Sequence, residues 1–301
     1  MTKIRLLLTG GTGFVGCNLL PILKEKDIEV LSLTTTHSAV QEKNIKWQVC
    51  NIFDDENLKK NVAEFKATHL LHLAWEISPG NYNLKSNFDW LQASMNLIRL
   101  FMENGGKRAV IVGSGLEYDW SAGLCRENET KLSDATLYGL TKNLLHRYCE
   151  ALLKSNDISF AWPRLFFLYG PNEDKRRLIP YLITQLLKGD KAVVRETELY
   201  RDYLYVKDAV NYLATLLFSN YTGTINIASG EPTKLRDIAL TIGNIIGNQN
   251  LIEFQNNSHT ANKIVVADNK KMISEFGFSP RYSIENGLEE TIKWWKNKQD
   301  L

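Results

Sequence analysis

The run Leu6-Leu7-Leu8-Thr9-Gly10-Gly11-Thr12-Gly13-Phe14-Val15-Gly16 constrains this chain more than any other stretch. Its apolar start suits a parallel strand covered on both faces. Gly10, Gly13 and Gly16 follow at three-residue intervals, and a helix is predicted over 13–26. Glycine adopts backbone angles closed to other residues and lets the main chain approach a bound group closely. A helix start aims unpaired N–H groups outward, where a diphosphate can take them. Strand, glycine turn and helix in this order are the context that dinucleotide binding requires; a purely structural turn is the alternative.

Composition narrows the class. With 44% apolar and 23% charged residues the chain reads as a globular protein, long enough at 301 residues for a large α/β domain plus a smaller one. A net charge of +2 without any basic tract argues against nucleic acid and membrane surfaces as partners. Cys17, Cys50, Cys125 and Cys149 form no Cys-x-x-Cys pair, and the five histidines form no ligand pattern, so neither a metal site nor a disulfide framework is expected. No apolar run approaches the roughly 20 residues of a membrane span, and the start carries no long apolar signal, so a cytoplasmic location is expected.

Further strands are predicted over 27–33, 45–49, 69–74, 109–113 and 158–163, alternating with helices, the pattern of a doubly wound parallel sheet. The second strand ends in Leu33-Thr34-Thr35-Thr36-His37-Ser38, with no charge of either sign. A carboxylate there would bind the ribose 2′-hydroxyl of NAD; a basic residue would accept the 2′-phosphate of NADP. Thr34 and Thr35 offer hydroxyls and repel nothing, which favours NADP(H) and leaves NAD(H) open. His72 sits in a buried strand and reads as a packed core histidine more readily than as a catalyst. Asn87 opens a long amphipathic helix, where an ordinary N-cap is one reading and a functional role the other. Tyr138 and Lys142, four apart near a helix start, share one helix face.

These motifs resemble the extended short-chain dehydrogenase/reductases, the family of nucleotide-sugar epimerases, dehydratases and ketoreductases. Five matches carry the resemblance: Gly-x-x-Gly-x-x-Gly at 10–16; His-Leu-Ala at 72–74; the turn from Ser114 to Tyr118; Tyr138-x-x-x-Lys142; and Arg201-Asp202-Tyr203. It covers essentially the whole chain. It implies a Rossmann-type sheet, 1–165 plus about 203–227, with a smaller interleaved substrate domain, about 166–202 and 228–301.

The resemblance also implies roles. Gly10, Gly13, Phe14, Val15, Gly16, Thr34, Thr35, Asn51, Ile52, Leu73, Ala74 and Pro163 would line the cofactor, with Asn51 replacing the family's usual Asp beside adenine. Ser114, Tyr138 and Lys142 would be catalytic. A free tyrosine, with a pKa of about 10, is a poor base near neutrality. A neighbouring ammonium and a positively charged nicotinamide favour its phenolate, which can exchange a proton with a sugar hydroxyl or ketone. Lys142 would also hold the nicotinamide ribose. Trp75, Glu117 and Arg201 would meet the substrate, Arg201 by gripping its diphosphate; Glu76 is a weaker candidate. Arg176 and Arg177 either reach a phosphate or face water. Asp208 would cap the helix that starts nearby.

Dehydratases of the family carry an Asp-Glu pair where this chain has Gly115-Leu116, so dehydration lacks its acid and base. Three readings remain. The first is a nucleotide-4-keto-6-deoxyhexose 4-reductase of deoxysugar biosynthesis, the second a nucleotide-sugar 4-epimerase, and the third a non-catalytic dinucleotide sensor. The first two share every catalytic residue. The partners implied are a nucleotide-diphosphate sugar and a second copy of the chain in a homodimer.

Overall fold

The computed structural model describes residues 3–36, 43–255 and 262–298; His37 and Ser38 lie outside them. The opening run folds as strand β1 (Arg5–Thr9), the glycine turn and helix α1 (Phe14–Lys24). Strands β2 (Glu29–Thr34), β3 (Ile45–Val49), β4 (His69–His72), β5 (Arg108–Ile111), β6 (Ser159–Leu165) and β7 (Gly223–Ile227) complete a sheet ordered β7-β6-β5-β4-β1-β2-β3. The pairs β1–β2, β2–β3, β1–β4, β4–β5 and β5–β6 run parallel. The order reverses between β1 and β4, and in open α/β sheets ligands bind outside the strand ends at such a switch point. Both faces of the sheet are covered, so its strands are apolar almost throughout: Leu6, Leu7, Leu8, Leu70, Leu71, Ala109, Val110 and Ile111 are all fully buried. Helices α2 (Asp55–Phe65), α3 (Ser86–Glu103) and α4 (Leu137–Lys154) connect the strands.

The chain divides into two compact units. The first comprises Met1–Glu117, Leu132–Arg164 and Val210–Ile225; the second comprises Tyr118–Lys131, Leu165–Ala209 and Asn226–Leu301. The division differs from the expected one chiefly at Tyr118–Lys131. The short strand Leu124–Cys125 inside that segment pairs with Ile264–Ala267, and the Tyr118 hydroxyl donates to Asn226 Oδ1 at 2.8 Å, both within the second unit.

The second unit is built on its own sheet, ordered Pro232–Lys234, Tyr200–Tyr205, Ile264–Ala267, Leu124–Cys125, with Phe167–Tyr169 also paired to Tyr200–Tyr205. The fully buried carboxylate of Asp202 ties this sheet to the Ser229-Gly230 turn. It accepts Ser229 N at 2.7 Å, Ser229 Oγ at 2.6 Å, Gly230 N at 3.0 Å and Ala267 N at 3.1 Å. Asp208 is not a helix cap. It lies in the first turn of the helix Val206–Leu217, and its carboxylate instead accepts the backbone N–H groups of Arg281 and Tyr282, each at 3.1 Å.

Candidate active site

The glycine turn has the geometry that its sequence demands. Gly10 has φ +75°, and a Cβ there would lie 2.7 Å from Ala74 N at the end of β4. Gly16 lies so close to the turn that a Cβ would overlap the Gly10 carbonyl oxygen and sit 2.7 Å from Gly11 Cα. Gly13 is the N-cap of α1, no side chain caps the helix, and no acidic residue stands in its first turn. The first N–H groups of a helix have no partner inside it. The turn therefore offers an anion an approach to bare backbone with no competing carboxylate, which fits the diphosphate of a dinucleotide. Leu73 N donates to Thr9 O at 3.2 Å, which seats Leu73 and Ala74 against the turn.

At the end of β2, Thr34 is buried and its hydroxyl accepts Thr36 N at 3.3 Å, so it serves its own turn; Thr35 and Thr36 are exposed. Asn51 Oδ1 accepts Phe53 N at 3.1 Å, while Ile52 packs into the core beneath. Pro163 is buried within β6.

His72 is fully buried. Its Nδ1 lies 2.7 Å from Thr9 Oγ1 and its Nε2 lies 2.9 Å from Ser94 Oγ. Burial, helped by the Lys142 charge, pulls its pKa down to about 3, so the ring is a neutral core group.

Helix α4 carries Tyr138 and Lys142. Thr136 caps it, its Oγ1 accepting Gly139 N at 3.0 Å. Gly139 has a steric reason: a Cβ there would lie 2.5 Å from Leu116 O, so only glycine lets the helix press against the 115–117 turn that follows Ser114. Asn143, one turn on, donates to Glu117 O at 3.2 Å and to Ser133 O at 3.0 Å, fixing the same turn. Ser114 Oγ accepts Leu116 N at 3.2 Å.

Lys142 is 3% exposed, and its Nζ donates to Val112 O at 2.9 Å. It lies 4.1 Å from the centroid of the Trp75 ring and 6.0 Å from that of Tyr138. Burial pulls its pKa down to about 7, against an upward pull from Glu117. Tyr138 is also buried, with the rings of Trp75 and Tyr82 at 6.1 and 5.8 Å between centroids.

Two expectations about side chains near this site are corrected. Glu117, expected to touch substrate, is fully buried and committed to the protein. Its carboxylate accepts Arg164 Nε at 2.6 Å, Trp162 Nε1 at 3.0 Å and Ser114 N at 2.7 Å. Asn87 is not an N-cap, because Lys85 holds that position. Its Oδ1 accepts the Trp75 indole N–H at 2.9 Å, and its Nδ2 donates to Leu84 O at 2.9 Å and Asn81 O at 3.2 Å. The Glu76 carboxylate accepts Ser78 N at 2.9 Å, which holds it in its own loop.

Arg201 belongs to the second unit. It is largely buried, and its Nη1 donates to the carbonyls of Tyr200 (2.8 Å), Asn262 (3.2 Å) and Lys263 (3.3 Å). Its guanidinium carbon lies 5.7 Å from the Trp120 ring centroid and 5.9 Å from that of Phe167. Arg176 is exposed and paired with Asp174. Among the described residues no cluster of His, Cys, Asp or Glu could hold a metal ion, and no helix is long and apolar enough to cross a membrane.

Comparison with known proteins places the chain in a wider group. Residues 6–228 match the model of the NAD dependent epimerase/dehydratase family. The chain is 24% identical over 308 residues to a dTDP-4-dehydro-6-deoxyglucose reductase of Escherichia coli, covering 97% of each. It is 26% identical over 310 residues to a CDP-abequose synthase of Salmonella typhimurium, covering 97% of this chain and 98% of the relative. The fold is also that of a Thermus thermophilus UDP-glucose 4-epimerase solved with NAD, with a TM-score of 0.87 at 22% identity over 98% of this chain and 100% of the other.

Proposed function

This chain belongs to the NAD dependent epimerase/dehydratase family, and we propose that within it the protein is a nucleotide-4-keto-6-deoxyhexose 4-reductase that works with NADP(H). The observation that carries this reading over an epimerase is the end of β2, with exposed Thr35 and Thr36 and no carboxylate from Leu33 to Ser38; the state of the Ser114 turn beside Tyr138 and Lys142 sets dehydration aside. Gly115 and Leu116 offer no proton donor, and the Glu117 carboxylate is bound by Arg164 and Trp162. No acid and base stand there to remove water from a sugar, while a hydroxyl, a phenol and an ammonium remain to serve a ketone. The end-to-end alignment with a 4-dehydro-6-deoxysugar reductase supports the same substrate class.

When bound, a nicotinamide supplies or accepts hydride at its ring C4. The glycine turn, Leu73 and Ala74 would hold the dinucleotide, and Lys142 its ribose. Tyr138 gives its hydroxyl proton to the C4 oxygen of the sugar as that oxygen gains charge. Ser114 donates a hydrogen bond to the same oxygen. The Lys142 ammonium eases loss of the Tyr138 proton by favouring the phenolate. Arg201 is assigned to the substrate diphosphate. Exposed hydroxyls and no carboxylate at the end of β2 favour the 2′-phosphate form of the cofactor.

The test is absorbance at 340 nm with NADPH, or separately NADH, and a panel of nucleotide-4-keto-6-deoxyhexoses. Stoichiometric loss of reduced cofactor, faster with NADPH, is expected. Interconversion of C4 epimers with no net loss would transfer the reading to a 4-epimerase.

A further inference from the structure

Lys142 faces an unusual neighbour. The loop after β4 sets Trp75 with its ring face toward the ammonium, 4.1 Å from Nζ to the ring centroid. Trp75 is itself 9% exposed and held from two sides. Its indole N–H is fixed on Asn87 Oδ1 at 2.9 Å, and the Trp90 ring stacks at 6.0 Å with 26° between planes. Asn87 is anchored in turn by its amide donors on Leu84 O and Asn81 O. Asn87, Trp75 and Lys142 thus form a clamp from the start of α3 to the second turn of α4.

We propose that Trp75 is a positioning residue for Lys142, its Asn87-locked indole face holding the ammonium where the proposed chemistry needs it. The ring face of an indole is negative and attracts a cation, most strongly when water is excluded. The other groups around Lys142 define what the ring has to do. The Val112 carbonyl accepts one N–H, and Glu117 attracts the charge from the 115–117 turn. His72 is neutral, and burial raises Cys149 so that it too is uncharged. Tyr138 presents its ring at 6.0 Å. Burial works against the ammonium, and Trp75 offsets part of that cost. This role rests on the assignment of Lys142 to the reaction, but its test does not require turnover.

The test follows Lys142 in the protein without cofactor or substrate. Lysine labelled with 15N and 13C is titrated by NMR, with Lys142→Met assigning the resonance. Trp75→Leu keeps an apolar side chain and removes the ring face, so the Lys142 midpoint should fall by about one pH unit. Because Leu could disturb the loop, a second series keeps the indole. Replacing tryptophan globally with fluorotryptophans of increasing fluorine number weakens the ring's attraction for a cation with little change of shape. The Lys142 midpoint should step downward with each fluorine. An unchanged midpoint across that series, or an upward shift in Trp75→Leu, would overturn the proposal. An inactive protein that still shows the downward steps would instead refute the reductase assignment alone.

Discussion

Replacing Glu117 by Gln is the most informative single substitution in the first unit. The change keeps the shape and one acceptor oxygen but removes the charge. Arg164 Nε stands 2.6 Å from that carboxylate, with side-chain exposures of 2% for Arg164 and 0% for Glu117. The variant leaves a buried guanidinium without its counter-ion. Removing one member of such a pair costs about 3–5 kcal/mol. For a folded unit of this size each kcal/mol lowers Tm by roughly 2–4 °C, so Glu117→Gln should melt about 10 °C lower in differential scanning calorimetry. The double variant Glu117→Leu/Arg164→Met removes both charges but leaves the Trp162 indole N–H and the Ser114 N–H without their acceptor, so it should recover only part of the loss. Function should suffer as well as stability. Glu117 is the carboxylate that pulls the Lys142 pKa upward, so Lys142 should titrate lower in Glu117→Gln. A Tm within about 2 °C of the parent protein would refute the argument, because the pair would then be solvated or replaced at little cost.

Three further outcomes follow from the same geometry. Gly16→Ala drives a methyl group into the Gly10 carbonyl and Gly11 backbone, which cannot yield as a side chain would; dinucleotide affinity measured by fluorescence titration should fall at least about tenfold, and unchanged affinity would contradict the cradle. His69, His72 and His146 are held to pKa values of about 4, 3 and 4 by burial, so each stays neutral in the fold while the unfolded chain takes up protons below about 6.5. Their contribution is therefore complete above pH 6.5 and lost as pH falls toward 4; hydrogen-exchange protection of β4 and β5, corrected for intrinsic rates, should drop between pH 7 and 5, and constant protection would contradict this. Arg201→Ala should weaken nucleotide-sugar binding at least about tenfold in calorimetry and leave cofactor binding unchanged; equal losses in both would count against a diphosphate role.

What was legible in the sequence was local. The glycine turn could be read because its three glycines and the strand before them are consecutive in the chain. β3 falls on the expected 45–49 because Ile45, Trp47 and Val49 alternate with Lys46 and Gln48, the period of a strand. Tyr138 and Lys142 needed only the helix repeat to be placed on one face. Misread residues had partners far away in the chain. Glu117 looked available because nothing near it in sequence marks Trp162 and Arg164, 45 and 47 residues on, as its donors. Asp208 sits where a helix begins, yet it is taken by backbone 73 and 74 residues later. Asn87 has the composition of a cap, and a cap is one of the two readings that its position offers. Its true partner is an indole on the loop after β4, and a side-chain amide does not announce such a partner. The Trp75–Lys142 contact was hidden for the same reason: nothing about either residue alone aims it at the other.

The central claim is that Tyr138 exchanges the proton at the sugar C4 oxygen. The measurement that tests it most directly compares Tyr138→Phe with the parent protein in the NADPH oxidation assay, alongside cofactor affinity by fluorescence titration. A loss of rate on the order of 10²-fold or more is expected, with cofactor affinity retained. Turnover near that of the parent protein would contradict it.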